Sequence, residues 1–114
     1  ALRLEQLTNY VNAVTGWHMS LWELLKVGER ADTMARIFNL REGFTAADDR
    51  LPDRLYEPFA SGPLAGKALD RDEVQRAIKL YYQMMGWDEE GRPTLAKLAE
   101  LDLDWLADEV LVPA

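Results

Sequence analysis

Apolar residues recur at three- and four-residue intervals along most of this chain, and the runs are opened by capping residues and closed by glycine. That pattern commits the backbone to α-helix, because a half-buried strand needs a period of two and no β-rich alternating run of useful length is present. The first run extends from about Leu2 to Val14, with Leu4, Leu7, Val11 and Val14 on one stripe and Gly16 placed to cap it in the left-handed conformation. Ser20-Leu21-Trp22-Glu23 is a capping box, so a long helix is expected from Leu21 to about Leu40. Its apolar face carries Leu21, Leu24, Leu25, Gly28, Ala31, Ala35 and Phe38, with Glu29, Asp32 and Arg36 opposite and assigned to solvent. Gly28 costs about 1 kcal/mol of helix propensity against alanine, so close approach of a partner explains it better than local preference does.

Beyond Gly43, Thr45 and Asp48 repeat the capping-box spacing, and Pro52 restricts Leu51 to extended geometry, which predicts one or two short helical turns. Pro58 to Lys67 is rich in breakers and reads as a loop, too apolar for a free linker, so Phe59 and Leu64 are expected to lie against the helices. Asp70 opens a third strong helix whose stripe is Val74, Ala77, Ile78, Tyr81, Met84 and Met85, and Gly86 stops it. A short helix with Leu95, Leu98 and Leu101 follows, then a last apolar patch of Leu103, Trp105, Leu106, Val110 and Leu111. The fold class is therefore all-α, an irregular multi-helix array, with residues 1–114 read as a single helical domain.

Function is bounded mostly by exclusion. Thirteen basic against twenty acidic residues give a net charge of −7, with no basic run, which disfavours nucleic acid. The sequence has no cysteine, so no thiolate nucleophile and no cysteine-held metal or iron–sulfur site can come from these residues. No apolar stretch is long enough to span a bilayer, so no membrane partner is expected. The chain begins without methionine and enters helical periodicity at once, which is read as a cut from a longer polypeptide.

His18 has no second histidine to complete a transition-metal site and reads as a turn residue. Glu42, Asp48 and Asp49, among Arg41 and Arg50, form the densest carboxylate group, read as caps and ion pairs at a tight junction. Asp88-Glu89-Glu90-Gly91 lacks the alternating ligands and closing glutamate of a calcium loop. The four tryptophans and the Tyr81-Tyr82 pair are assigned to packing, and Ser20 and Ser61 have no histidine–acid order beside them. No catalytic, cofactor-binding or metal-binding residue is assigned.

The segments, taken in order, resemble the carboxy-terminal part of the tungsten-containing aldehyde ferredoxin oxidoreductase family. The resemblance runs from Thr15-Gly16-Trp17-His18-Met19-Ser20 through Ala35-Arg36-Ile37-Phe38-Asn39-Leu40-Arg41-Glu42-Gly43-Phe44 and Asp48-Asp49-Arg50-Leu51-Pro52. It continues with Gly62-Pro63-Leu64-Ala65-Gly66-Lys67, Tyr81-Tyr82, Gly86-Trp87-Asp88, Gly91-Arg92-Pro93-Thr94 and Leu98-Ala99-Glu100-Leu101. Asp102 stands at the glycine of the family's Leu-Gly-Leu ending.

The resemblance implies a cytoplasmic parent oxidoreductase that holds a tungsten (or molybdenum) bis-pterin and a 4Fe-4S cluster, oxidises aldehydes to carboxylic acids and passes electrons to ferredoxin. This chain would be its C-terminal helical fragment, structural and not catalytic, holding no cofactor itself, with the parent's remaining N-terminal domains as partners. The alternative is a stand-alone helical interaction module without enzymatic activity. Whether the isolated chain is an enzyme, and its oligomeric state, are left open by the sequence.

Overall fold

Ser20 and Glu23 close the predicted box: the serine amide donates to the Glu23 carboxylate at 2.7 Å, and the Glu23 amide donates to Ser20 Oγ at 3.2 Å. From there the longest helix runs to Arg41, ended where Gly43 turns to φ +94° and the Phe44 amide donates back to the Asn39 carbonyl at 3.0 Å. The computed structural model describes residues 3–111. Among them are helices α1 (Leu4–Thr15), α2 (Leu21–Arg41), α3 (Arg71–Met85), α4 (Leu95–Glu100) and α5 (Ala107–Leu111). Single turns of 3₁₀ helix lie at Ala46–Asp48, Asp53–Tyr56 and Asp104–Leu106. No strand occurs among the described residues; Phe59 with Ala65 and Trp87 with Pro93 form isolated bridges.

The caps fall where the sequence placed them. Gly16 (φ +75°) and Gly86 (φ +71°) end α1 and α3 in the left-handed conformation, and Asp70 accepts from the Glu73 amide at 2.9 Å. Asn12 sets the turn between α1 and α2, its side chain accepting from the Met19 amide at 2.9 Å and donating to the Met19 carbonyl at 2.8 Å. Asp102 has φ +55°, a left-handed position that glycine adopts without the steric cost an L side chain meets there. The expected start of the first helix at Leu2 lies outside the described residues.

Burial departs from the expected faces. The core consists of Ile37 of α2 with Leu98, Leu101, Leu103 and Val110, and Leu106 and Ala107 pack against it. Of the closing apolar patch, Leu103 and Val110 are thus buried while Trp105 is 69% exposed; the Leu111 side chain is outside the described set. In α1 the stripe Leu4, Leu7 and Val14 is exposed and Thr8 is the buried residue. In α2, Gly28, Ala31, Ala35 and Phe38 face open space, and Arg36, assigned to solvent, is only 8% exposed. In α3, Tyr81 and Met84 are exposed and Tyr82 is buried. Phe59 and Leu64 are exposed on their loop instead of lying against the helices.

The physical reason is visible in the dimensions. The chain extends 53 × 43 × 21 Å with a radius of gyration of 18.4 Å, whereas a compact chain of this length has about 13 Å. Its accessible surface of 8648 Å² exceeds by roughly a third the area of a compact monomer of the same mass. The amphipathic faces are genuine, but most have no partner within these residues.

Candidate functional site

The most constrained group of polar side chains lies where α2, the Ala46–Asp48 turn, the end of α3 and the loop after it converge. Arg36 is at its centre. Its Nε donates to the Gly91 carbonyl at 2.8 Å, its Nη1 donates to Asp49 Oδ1 at 2.9 Å, and its Nη2 pairs with Asp49 Oδ2 at 2.7 Å. The Tyr82 hydroxyl donates to the same Asp49 carboxylate. The guanidinium also stacks over the rings of Tyr82 and Trp87, at 5.5 and 5.3 Å from their centroids. A planar, bidentate cation set against two adjacent aromatic rings, whose centroids are 5.9 Å apart, is a role that arginine fills and lysine does not.

Local sequence builds each arm of this clamp. Asp48 caps Thr45, its carboxylate accepting from the Thr45 amide at 2.8 Å, and the turn so made delivers the next residue, Asp49, to Arg36. Asp88 Oδ1 accepts from the Glu90 and Arg92 amides at 3.0 and 2.8 Å, an Asx-type turn that presents the Gly91 carbonyl. Gly91 sits at φ +70°, and a Cβ on it would fall 2.3 Å from Arg36 Nη2 and 2.7 Å from Tyr82 Cζ, so only glycine fits.

Electrostatics follow from the contacts. Burial works to raise the Asp49 pKa, but hydrogen bonds from Arg36 and Tyr82, with the Arg36 charge, outweigh it and hold the carboxyl below the ordinary aspartate value. Burial, and then the hydrogen bond to Asp49 and its charge, push the Tyr82 hydroxyl up to about 12. Cation, carboxylate and phenol are occupied with one another, so the group works as a structural clamp and presents no free base or nucleophile.

A second network fixes α4 to α2. Lys26 pairs with Glu29 at 2.9 Å and with Glu100, and Lys97 pairs with Glu29 and Glu100 at 2.9 and 2.8 Å, closing a ring of four charges. Hydrogen bonds from Lys26 and Lys97 lower the Glu29 pKa and bring Glu100 down to about 2. Arg30 Nε donates to the Leu101 carbonyl at 2.7 Å. Glu29, assigned to solvent beside Arg36, is therefore half-buried and paired, while Asp32 is exposed and makes no ion pair among the described residues.

The carboxylate group anticipated around Arg41 and Arg50 is divided. Arg41 meets Glu42 at 3.3 Å on the surface, Asp48 serves as a cap, and Asp49 goes to Arg36 instead. His18, in the α1–α2 turn, and Ser61 are exposed, and Ser20 is occupied as a cap. Among the described residues no group of three or more His, Cys, Asp or Glu is arranged to hold a metal ion. No helix of the described residues is long and apolar enough to cross a membrane.

Arg36 was missed because helical periodicity classes a lone arginine opposite an apolar stripe as a solvent residue. The signal that could have found it lies in the segments that carry the family resemblance. Arg36, Asp49, Tyr82, Trp87 and Gly91 each belong to a different one of those segments, and the fold brings all five together.

Above the clamp, α2 and α3 do not close on each other. They leave a groove of about 680 Å³ between Asp32, Ala35 and Asn39 on one wall and Val74, Ala77, Ile78 and Tyr81 on the other, with Arg36, Asp49, Tyr82 and Trp87 as its floor. A second hollow of about 750 Å³ lies between the α2 C-terminus and α5, lined by Leu40, Phe44, Arg92 and Glu109 among others.

Residues 1–103 match the family model described as aldehyde ferredoxin oxidoreductase, domains 2 and 3. The tungsten-containing aldehyde ferredoxin oxidoreductase of Pyrococcus horikoshii is 38% identical over 105 residues, which cover 90% of this chain and 17% of that protein. The corresponding enzyme of Pyrococcus furiosus is 39% identical over 95 residues, covering 82% of this chain and 15% of that protein. The WOR-like subunit of an aliphatic sulfonate oxidoreductase from Pyrococcus furiosus is 34% identical over 112 residues, 93% of this chain and 18% of that one. Among solved structures, the active-site complex BamBC of benzoyl coenzyme A reductase with 1,5-dienoyl-CoA superposes with a TM-score of 0.76 at 25% identity, covering 95% of this chain and 15% of that one. The chain thus spans under a fifth of the length of the curated relatives it matches.

Proposed function

This chain belongs to the aldehyde ferredoxin oxidoreductase family, and from that premise we propose that it is the C-terminal helical part of a tungsten- or molybdenum-pterin oxidoreductase that converts aldehydes to carboxylic acids. Residues 1–114 form one helical domain of that enzyme, which is cytoplasmic and passes electrons to ferredoxin. The domain contributes shape and packing to the enzyme and no ligand to its metal or cluster. The remaining domains of the same enzyme are its partners.

The observation that carries this reading is the amount of amphipathic surface without a partner. Large apolar side chains stand exposed on α1, α2, α3 and the Pro58–Lys67 loop, while among the described residues seven large apolar side chains are buried, five of them in one cluster. A monomeric soluble protein rarely shows contiguous apolar patches beyond a few hundred Å², and larger ones mark contact surfaces.

The residues present do not fit the family's inorganic groups as ligands. A 4Fe-4S cluster is held by thiolates, and the sequence has no cysteine; the described residues also lack a metal-binding group. No chemical step is therefore assigned to any position here.

The test is to express the longer natural polypeptide with and without these 114 residues and to measure tungsten, molybdenum, iron and aldehyde-dependent reduction of ferredoxin. Metal and activity in the longer form, lost on deletion, agree with the proposal. Stoichiometric metal in the 114-residue chain alone would overturn it, and a natural protein starting and ending with this chain would favour a stand-alone module. The kinship with the sulfonate oxidoreductase subunit and with benzoyl coenzyme A reductase makes aldehydes, aliphatic sulfonates and aromatic acyl-CoA thioesters the substrates to compare in the same assay.

A further inference from the structure

The groove between α2 and α3 has the features of a built seat. We propose that it receives an α-helical segment from the remainder of the same polypeptide, with apolar side chains against Ala35, Ala77 and Ile78 and a basic side chain opposite Asp32. The proposal rests on the reading that this chain is part of a longer enzyme, and it adds which surface is covered and by what.

Three observations carry it. First, the two walls are kept apart by the Arg36 clamp, which spaces α2 from α3 through a mutually paired cation–carboxylate–phenol group, with Arg36 and Tyr82 buried and Asp49 partly so, and so preserves the groove instead of letting it collapse. Second, Gly28 lies one helical turn before Asp32 on the same side of α2, just beyond the residues that line the groove, and a Cβ built on it would meet nothing within 4 Å. A mid-helix glycine costs about 1 kcal/mol, and no contact inside the chain explains it. A helix approaching from outside does, since small residues set how closely two helix axes come together. Third, the accessible surface exceeds that of a compact monomer of this mass by roughly 2,300 Å², more than the ~800 Å² per partner of a standard-size interface. The relatives have more than four-fifths of their length outside the matched region to supply the cover.

The chemistry of the walls selects the type of occupant. Both are helices, whose mid-segment backbone groups are already paired, so an incoming strand or loop would find few partners for its own amides and carbonyls. A helix arrives with those groups satisfied. Asp32 is exposed at the rim without an ion-pair partner among the described residues, which favours a lysine or arginine on the incoming face.

The experiment uses the longer natural polypeptide. Photo-crosslinking from Ala77→p-benzoylphenylalanine, read by peptide mass spectrometry, should join position 77 to a helical peptide outside residues 1–114 of the same molecule. The same group at Arg76, on the far side of α3, should not. Because the bulky group could disturb folding, Ala35→Cys is the second measurement: its alkylation should be at least ten-fold slower than that of Arg76→Cys in the same polypeptide. Crosslinks to residues 1–114 of a second copy or to a separate protein would overturn the proposal, as would alkylation of the two cysteines at equal rates. Metal content and aldehyde oxidation of the same preparations distinguish the two proposals. A crosslinked but metal-free, inactive protein refutes the enzymatic reading alone, and an active enzyme with an open groove refutes the docking alone.

Discussion

Replacing Gly91 by alanine tests the clamp most directly. At φ +70° an alanine costs about 1–2 kcal/mol for the left-handed backbone alone. The new Cβ would in addition lie 2.3 Å from Arg36 Nη2 and 2.7 Å from Tyr82 Cζ, well inside contact distance. Neither neighbour can swing aside, because Arg36 is held by Gly91 and Asp49 and Tyr82 by Asp49. Displacing the guanidinium loosens charge-assisted hydrogen bonds worth about 1.5–3 kcal/mol, so the total penalty for Gly91→Ala is about 2.5–5 kcal/mol. Gly16→Ala is the matched reference: it has nearly the same φ, +75°, with nothing within 4 Å of the added methyl, and should cost only the backbone share. Urea unfolding of both variants, followed by far-ultraviolet circular dichroism and by tryptophan fluorescence, gives the comparison. Trp87 lies under the Arg36 guanidinium, so its emission should change in Gly91→Ala and not in Gly16→Ala. Equal destabilisation of the two variants, to within roughly 0.5 kcal/mol, would refute the claim that glycine is required by the clamp.

Acid should release the same clamp. Because the Asp49 pKa is lower folded than unfolded, its contribution is present above the unfolded value near ~3.9 and is lost as pH falls through the folded value. Asp49→Asn should therefore flatten the dependence of the urea midpoint on pH in that acid window. At the other end, the raised Tyr82 pKa gives stability that is complete below ~10 and lost as pH rises through about 12; Tyr82→Phe should remove that alkaline step. The Thr33 hydroxyl is fully buried with no hydrogen-bond partner among the described residues, so Thr33→Val should raise stability by about 1 kcal/mol in the same titration. Asp102→Gly should be neutral to stabilising by up to about 1 kcal/mol, since it relieves a left-handed aspartate and gives up only an exposed contact to Arg30 at 3.7 Å; a clear loss of stability would show that contact to matter more than the backbone.

The sequence by itself determined where the helices begin and end. The Ser20–Glu23 box, the Asp70 cap and the glycines at 16 and 86 act within one turn of themselves, so their effect needs no knowledge of the rest of the chain. It also determined, through the absence of cysteine, that no thiolate ligand comes from these residues, and the ordered motifs carried the family. Only the tertiary structure decided which faces are buried. A period of 3.6 marks the side of a helix that seeks a partner but not whether that partner lies in the same stretch of chain. For Leu98 it does; for Phe38, Ala35, Tyr81 and Met84 it does not, and α2 buries Thr33, Arg36 and Ile37 on its other side instead, because a chain this short folds into an open array with too little mass to cover both sides of α2 and α3. The Arg36 clamp was decided at the same level, since joining residues 36, 49, 82 and 91 depends on how four elements meet in space and no local spacing encodes it.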